Sequence, residues 1–131
     1  MSTPTRTRRG SVTVLHAAIA VQTLAVLVQA VTAGLLLSAS HGMALHSLGA
    51  RALVAAVLLH LAAAIVVWRQ SGGPPGPVLQ ASGFLAVTLA QIALGIAEVT
   101  ALHVPLGVVM FGGSVLQLAR AAAERRTRAP A

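Results

Sequence analysis

A long apolar stretch that carries two histidines and an arginine constrains this sequence more than any other feature. It runs from Met43 to Trp68, about 26 residues, which is enough to cross a bilayer as a helix. His46 and His60 lie about four helical turns apart, so both fall on one stripe of that helix. Polar groups are costly at membrane depth. We therefore expect the stripe to face protein or a cofactor rather than lipid.

The composition indicates an integral membrane protein. Hydrophobic residues make up 56% of the 131 residues and charged residues only 8%, which is too little charge to cover a soluble domain. The net charge of +7 comes from arginine alone, and the arginines flank apolar segments. Because aromatic residues are only 2% of the chain, membrane topology explains these arginines better than nucleic-acid binding does. The lack of cysteine excludes disulfides, thiolate metal sites and a cysteine nucleophile.

The order of apolar and polar segments predicts an all-α fold, a transmembrane four-helix up-and-down bundle. The predicted organisation is a disordered basic N-terminus at 1–11, a four-helix domain at 12–120 and a basic tail at 121–131. The helices are expected at about 12–37, 43–68, 78–100 and 101–119. The first apolar run is too long for the core of a signal peptide, so it is interpreted as a retained span. Pro105 is expected in the first turn of the fourth helix, where its missing N–H costs little.

The arginines also predict the orientation. All but one of the nine lie at the chain ends or in the loop at 69–77. Loops rich in arginine stay in the cytoplasm. The sequence therefore predicts a multi-pass protein of the plasma (inner) membrane with both termini cytoplasmic.

The two helix pairs resemble each other weakly, which indicates an internal two-helix repeat. After one gap, His46 and Gly49 of the first pair correspond to His103 and Gly107 of the second. If an axis along the membrane normal relates the halves, both histidines lie near the outer face at matched depth. They could then bind a planar metal cofactor from both sides. Haem b is the obvious candidate, since imidazole is a standard axial ligand. Each glycine, about one turn below its histidine, would leave room for the porphyrin.

His16 and His60 form a second, less supported candidate site for haem iron, nearer the cytoplasm. The repeat counterpart of His60 is Gln117, a poor haem ligand, so the symmetry that favours the first site is missing here. His41 lies in an outer turn, where we expect it to be solvated or to cap a helix.

Arg51 and Glu98 are the charged residues in the outer halves of the predicted spans, and two interpretations remain open. They could form an ion pair, which would make their burial tolerable. Alternatively, Arg51 holds a haem propionate and Glu98 handles a proton. The glutamines at 22, 29 and 91 are expected to form hydrogen bonds between helices.

Two segments resemble a known family. Residues Ala90 to Gly107 resemble the third-to-fourth helix region of the haem A synthase family, in which a Q-x-x-LG-x-x-T-like run leads to a histidine that opens the next helix. The run His46-Ser-Leu-Gly is similar to the H-R-x-x-G-like opening of that family's second helix. The resemblance implies haem ligands at His46 and His103.

The chain also departs from that family. The family normally has two four-helix halves, whereas this chain supplies one. The family's glutamate before the second-helix histidine is Gly42 here, and its loop cysteines are absent. The resemblance therefore implies haem binding rather than hydroxylation of a haem methyl. The chain resembles small four-helix bacterial membrane proteins with the same histidine and glycine pattern equally well.

The leading hypothesis is a membrane protein that binds b-type haem and serves electron transfer or haem handling. Its expected partners are the lipid bilayer and either a second copy of the chain or a membrane redox protein, with no nucleic acid. The alternative is a cofactor-free structural or accessory protein whose histidines are satisfied locally. A transporter is less favoured because paired broken helices are missing. Whether the protein is an enzyme stays open, although Glu98 and Glu124 are its only acids and give no hydrolytic set.

Overall fold

The computed structural model describes residues 4–36 and 38–128 as four α-helices joined by short turns. Helix α1 spans Pro4–Leu35, α2 Gly42–Ser71, α3 Gly76–Ile96 and α4 Thr100–Arg128. The described ranges contain no strand. Each helix holds a segment long and apolar enough to cross a membrane. The prediction of an all-α, multi-pass membrane protein with four spans is confirmed.

The helices pack in a ring. α1 contacts α2, α2 contacts α3, α3 contacts α4, and α4 closes the ring on α1, whereas the described backbones of the diagonal pairs do not approach each other. Ser11 Oγ of α1 donates to Gln70 Oε1 of α2 at 2.5 Å, which ties the start of α1 to the end of α2. Since short turns join successive helices, the arginine-rich start of α1 and end of α4 share one end of the bundle with Arg69.

The first and last helices, α1 and α4, are longer than the sequence predicted. α1 begins at Pro4, within the segment expected to be disordered, and α4 continues to Arg128 through most of the expected tail. Proline is suited to the first turn of a helix, and arginine and alanine are good helix formers. These residues therefore continue the apolar spans into the polar region as helix. The placement of Pro105 in a first turn is wrong, because it lies in the second turn, where the Ala101 carbonyl lacks its N–H partner.

Two turns depend on special backbone positions. Gly72 caps the end of α2, with a left-handed φ of 61° and an N–H that donates to the Trp68 carbonyl. α3 ends in a Schellman motif, with Val99 N–H donating to the Leu94 carbonyl at 3.0 Å and Glu98 N–H to the Gly95 carbonyl at 3.2 Å. The left-handed position of this motif, which usually carries glycine, is filled by Glu98 at φ 56°.

The interior is built from small apolar residues and a layer of polar side chains. One apolar cluster lies toward the arginine-rich end and a second toward the middle of the bundle. Among the most deeply buried side chains are Gln22, Val57, His60, Thr88 and Ser114. α3 and α4 are the least covered spans, so large apolar side chains such as Val108 remain exposed on them. These exposed faces suit contact with lipid.

Candidate functional site: a histidine pair across the bundle

The rings of His46 and His103 meet across the bundle even though their helices have no backbone contact. Their ring centres are 6.3 Å apart and their planes are inclined by 71°. His46 lies in the second turn of α2 and His103 in the first turn of α4, and both are partly buried. The structure thus brings together the two histidines for which the sequence predicts a common depth.

Hydrogen bonds from α1 orient the ring of His46. Thr32 Oγ1 donates to the Gln29 carbonyl at 3.0 Å, so it accepts from His46 Nδ1–H at 3.2 Å. His46 Nε2 then accepts from the side-chain amide of Gln29 at 3.2 Å. The same amide nitrogen donates to the His46 carbonyl, also at 3.2 Å. This pattern leaves the lone pair of His46 on Nε2.

A backbone carbonyl orients the ring of His103. His103 Nδ1 donates to the Gln91 carbonyl of α3 at 2.9 Å. Its lone pair is therefore also on Nε2, which makes no hydrogen bond within the described part of the chain. A ring N–H held by a carbonyl is the arrangement that typically orients metal-ligating histidines. Both rings thus have Nε2 as the atom available for coordination.

A glutamine side chain lies against each glycine that was expected to make room for a porphyrin. A Cβ at Gly49 would meet Oε1 of Gln29, and a Cβ at Gly107 would lie 2.9 Å from Nε2 of Gln91. In this structure both glycines therefore admit a glutamine. The Oε1 atoms of Gln29 and Gln91 are buried without a hydrogen-bond partner. A buried acceptor without a donor costs free energy, so moving either amide breaks no hydrogen bond of its Oε1 atom.

Arg51 and Glu98 do not form the ion pair that was one interpretation of their positions. Both are exposed, and no acidic oxygen lies within 4 Å of the Arg51 guanidinium in the described ranges. Arg51 lies on α2 a little more than one turn beyond His46. His41 is exposed and is the N-cap residue of α2, whose carbonyl accepts from Leu45 N–H at 3.1 Å, although its side chain makes no capping hydrogen bond, so both expected roles agree with the structure.

His16 and His60 have separate partners. Gln22 Oε1 accepts from His60 Nδ1 at 2.8 Å, and Gln22 Nε2 donates to Gln117 Oε1 at 3.1 Å. His16 Nε2 instead lies 3.7 Å from Glu124 Oε2. No hydrogen bond or ring contact joins His16 to His60 in residues 4–36 and 38–128. The two histidines of the second candidate haem site therefore contact different residues and do not contact each other in the described ranges.

The interhelical hydrogen bonds expected of Gln22 and Gln29 are confirmed, whereas the part that the threonines of α1 play was not predicted from the sequence. Thr32 orients His46, and the single hydroxyl hydrogen of Thr23 is shared between the Ile19 carbonyl at 2.9 Å and the Ser114 carbonyl of α4 at 3.1 Å. A signal was present: four polar residues at helical spacing interrupt the apolar run of α1, namely Gln22, Thr23, Gln29 and Thr32. Such a stripe in a span faces other helices.

His46 and His103 are the two histidines whose rings are in contact in the described ranges. No group of three or more histidine, cysteine or acidic side chains that could hold a metal ion occurs in the described ranges. The resemblance to haem A synthases stays a prediction, because no protein-family model, curated protein or solved structure matches the chain.

Proposed function

We propose that the protein binds b-type haem through His46 and His103 and serves electron transfer or haem handling in the plasma membrane. The separation of the two rings carries this proposal. An imidazole nitrogen binds a metal at about 2 Å and its ring centre lies roughly 1 Å further back, so two rings on opposite sides of one iron have centres about 6 Å apart. The observed 6.3 Å agrees with that spacing.

The hydrogen bonds around the rings also support the proposal. Thr32 and the Gln91 carbonyl take up the two Nδ1–H groups, which leaves both Nε2 atoms as ligands. His103 Nε2 is free to coordinate, whereas the Gln29 amide has to leave His46 Nε2. Because Gln29 Oε1 has no partner, only the bonds of Gln29 Nε2 are lost when this side chain moves.

The number of protein ligands favours haem over a bare metal ion. Structural and catalytic zinc sites use three or four protein ligands, whereas haem brings four nitrogens and needs only two axial ones. A bound haem would supply one-electron redox chemistry. If both His46 and His103 held the haem iron, they would leave no site for oxygen or substrate, which favours electron transfer over catalysis.

The orientation in this proposal follows from charge. Eight of the nine arginines belong to the end of the bundle away from the histidine pair. By the positive-inside rule that end, with both termini, faces the cytoplasm. The histidine pair then lies near the outer face, where exposed Arg51 could reach a haem propionate. A redox partner would approach from that side.

A reduced-minus-oxidised absorption spectrum of the purified protein, expressed with haem supply, tests the proposal. We expect a Soret and an α band in the wild type. Both bands should be lost in His46→Ala and in His103→Ala and kept in His41→Ala, the matched control for an exposed histidine. Far-UV circular dichroism shows whether each variant is still helical. A colourless wild-type protein rejects haem binding.

The second candidate function is a cofactor-free structural or accessory protein. The observation that favours it is that His46, His60 and His103 all have hydrogen-bond partners within the chain. It predicts a colourless protein in which alanine at positions 46 and 103 is nearly neutral for accumulation in the membrane.

A further inference from the structure

A groove between α1 and α4 opens near the arginine-rich end of the bundle. Its volume is about 290 Å³. Its floor consists of alanine and leucine side chains, including Ala17 and Ala20 of α1 and Leu118 of α4. Its polar lining is His16 and Arg125. The groove is therefore apolar along its length with a cation at one end.

The position of Arg125 along α4 places these two parts at different depths. The rise from Thr100 to Arg125 is about 38 Å, because an α-helix advances about 1.5 Å per residue. The hydrocarbon core of a bilayer is only about 30 Å thick. With the outer end of α4 at one interface, the guanidinium reaches the headgroups of the other. The alanine side chains of the groove lie about one helical turn or more before Arg125, at the level of the acyl chains.

The charges around the groove favour an anionic occupant. Arg125 makes no ion pair in the described part of the chain, and the neighbouring Arg120 and Arg126 are exposed. The acidic side chain here, Glu124, lies beside His16 at 3.7 Å. The arginines outnumber it, so the mouth of the groove is positive.

We propose that this groove binds one anionic phospholipid, with the phosphate on Arg125 and part of an acyl chain along the alanine floor. Guanidinium groups bind phosphate with two parallel hydrogen bonds. Basic pockets between transmembrane helices are suited to anionic headgroups. An apolar floor open to the bilayer suits a lipid rather than free phosphate. This inference does not depend on haem binding.

Native mass spectrometry of the delipidated full-length protein in neutral detergent tests the proposal. The protein is titrated with palmitoyl-oleoyl phosphatidylglycerol and, separately, with palmitoyl-oleoyl phosphatidylcholine. We expect one phosphatidylglycerol to bind more tightly than phosphatidylcholine. One arginine near a membrane surface contributes about 1 kcal/mol, so Arg125→Gln should weaken phosphatidylglycerol binding about fivefold.

Two further variants separate the groove from general attraction. Arg126→Gln removes the same charge next to the groove without lining it and should change binding less than about twofold. Ala20→Leu fills the floor without changing charge and should also weaken binding. Circular dichroism checks that all variants remain helical.

Three results would overturn the inference. Equal binding of the two lipids would show that the groove does not recognise an anionic headgroup. Equal losses in Arg125→Gln and Arg126→Gln indicate diffuse attraction rather than a site. Competition by inorganic phosphate as effective as that by phosphatidylglycerol indicates an anion site without an acyl-chain groove.

Discussion

At the scale of single residues, Gln22 of α1 forms hydrogen bonds with two other helices in the interior of the bundle. Its side chain is fully buried and joins His60 of α2 to Gln117 of α4. Gln22→Leu leaves a ring N–H and an amide oxygen without partners. A single hydrogen bond between spans contributes little, but two buried unpaired groups cost more. We expect a loss of about 1–2 kcal/mol in the free energy of unfolding.

Equilibrium unfolding in mixed micelles, followed by far-UV circular dichroism, measures that loss. The matched control is Gln80→Leu, the same replacement at an exposed position of α3, which should change the free energy of unfolding little. An equal effect at the two positions would show that the buried network is not what stabilises the bundle.

Residue-level features were predictable only in part from the sequence. The histidines at 46 and 103 stand out because each opens a span and has a glycine close behind it. The residues that bond to His46 cannot be recognised in the sequence, because Thr32 contacts the His46 ring only when α1 and α2 are packed together. Spacing along one helix gives a face, whereas a contact between helices also requires their relative rotation and depth. For the same reason the pairing of His16 with His60 could not be judged from the sequence.

At the scale of the elements, the α1–α2 turn requires glycine at position 42. A Cβ there would meet the Leu35 carbonyl oxygen and lie 2.6 Å from its carbon and 2.7 Å from Leu36 Cα. These are backbone atoms that cannot move without shifting α1 against α2. Gly42→Ala should therefore lower the free energy of unfolding by about 1–3 kcal/mol.

Gly34→Ala is the matched control for that variant. Apart from the local backbone of α1, no atom of the described residues lies within 4 Å of a Cβ at Gly34, which lies in the last turn of α1. Alanine favours a helix interior over glycine by up to about 1 kcal/mol, so this variant should be neutral or stabilising. Thermal unfolding of the purified variants compares the two. A stable Gly42→Ala protein would show that the turn is wider than described.

The α3–α4 turn contains a residue with backbone strain, Glu98, and a substitution can remove that strain. Glu98 occupies the left-handed position of a Schellman motif at φ 56°, a conformation that costs residues with a Cβ roughly 1–2 kcal/mol. Glu98→Gly should therefore raise the free energy of unfolding by about 1 kcal/mol. Glu98→Ala removes the same charge but keeps the Cβ. If alanine stabilises as much as glycine, the carboxylate rather than the backbone is unfavourable.

The helices themselves were the most predictable elements, and their ends the least. Hydropathy locates a span because about 20 apolar residues cannot be placed elsewhere. The ends of α1 and α4 lie outside the apolar runs, where only local propensity acts. Arginine-rich segments can form helix or coil there, and the sequence analysis assigned them to coil. The start of α4 at Thr100 is within one residue of the predicted start at about 101, so the placement of Pro105 in the first turn was wrong for a different reason, because it is the fifth residue even from the predicted start.

At the scale of the whole molecule, the diagonal helices α2 and α4 bring together residues that are distant in the chain. α2 and α4 have no backbone contact, yet residues near the start of each helix place two imidazoles at 6.3 Å. A ring of four helices allows this because long side chains from opposite helices meet on its axis. The sequence could indicate four spans and a common end for the histidines, but the distance between them depends on the packing of all four.

The lack of cysteine makes the predicted orientation directly measurable. Ser40 lies exposed between α1 and α2, and Gly73 lies exposed between α2 and α3. Ser40→Cys and Gly73→Cys each introduce the single thiol of the protein, so a maleimide label reports one position without background. Because arginine-rich segments stay in the cytoplasm, a membrane-impermeant maleimide should label Ser40→Cys in spheroplasts but Gly73→Cys only after permeabilisation. Thr127→Cys near the end of α4 should behave like Gly73→Cys. The reverse pattern would place the histidine pair at the cytoplasmic face and require a redox partner on that side.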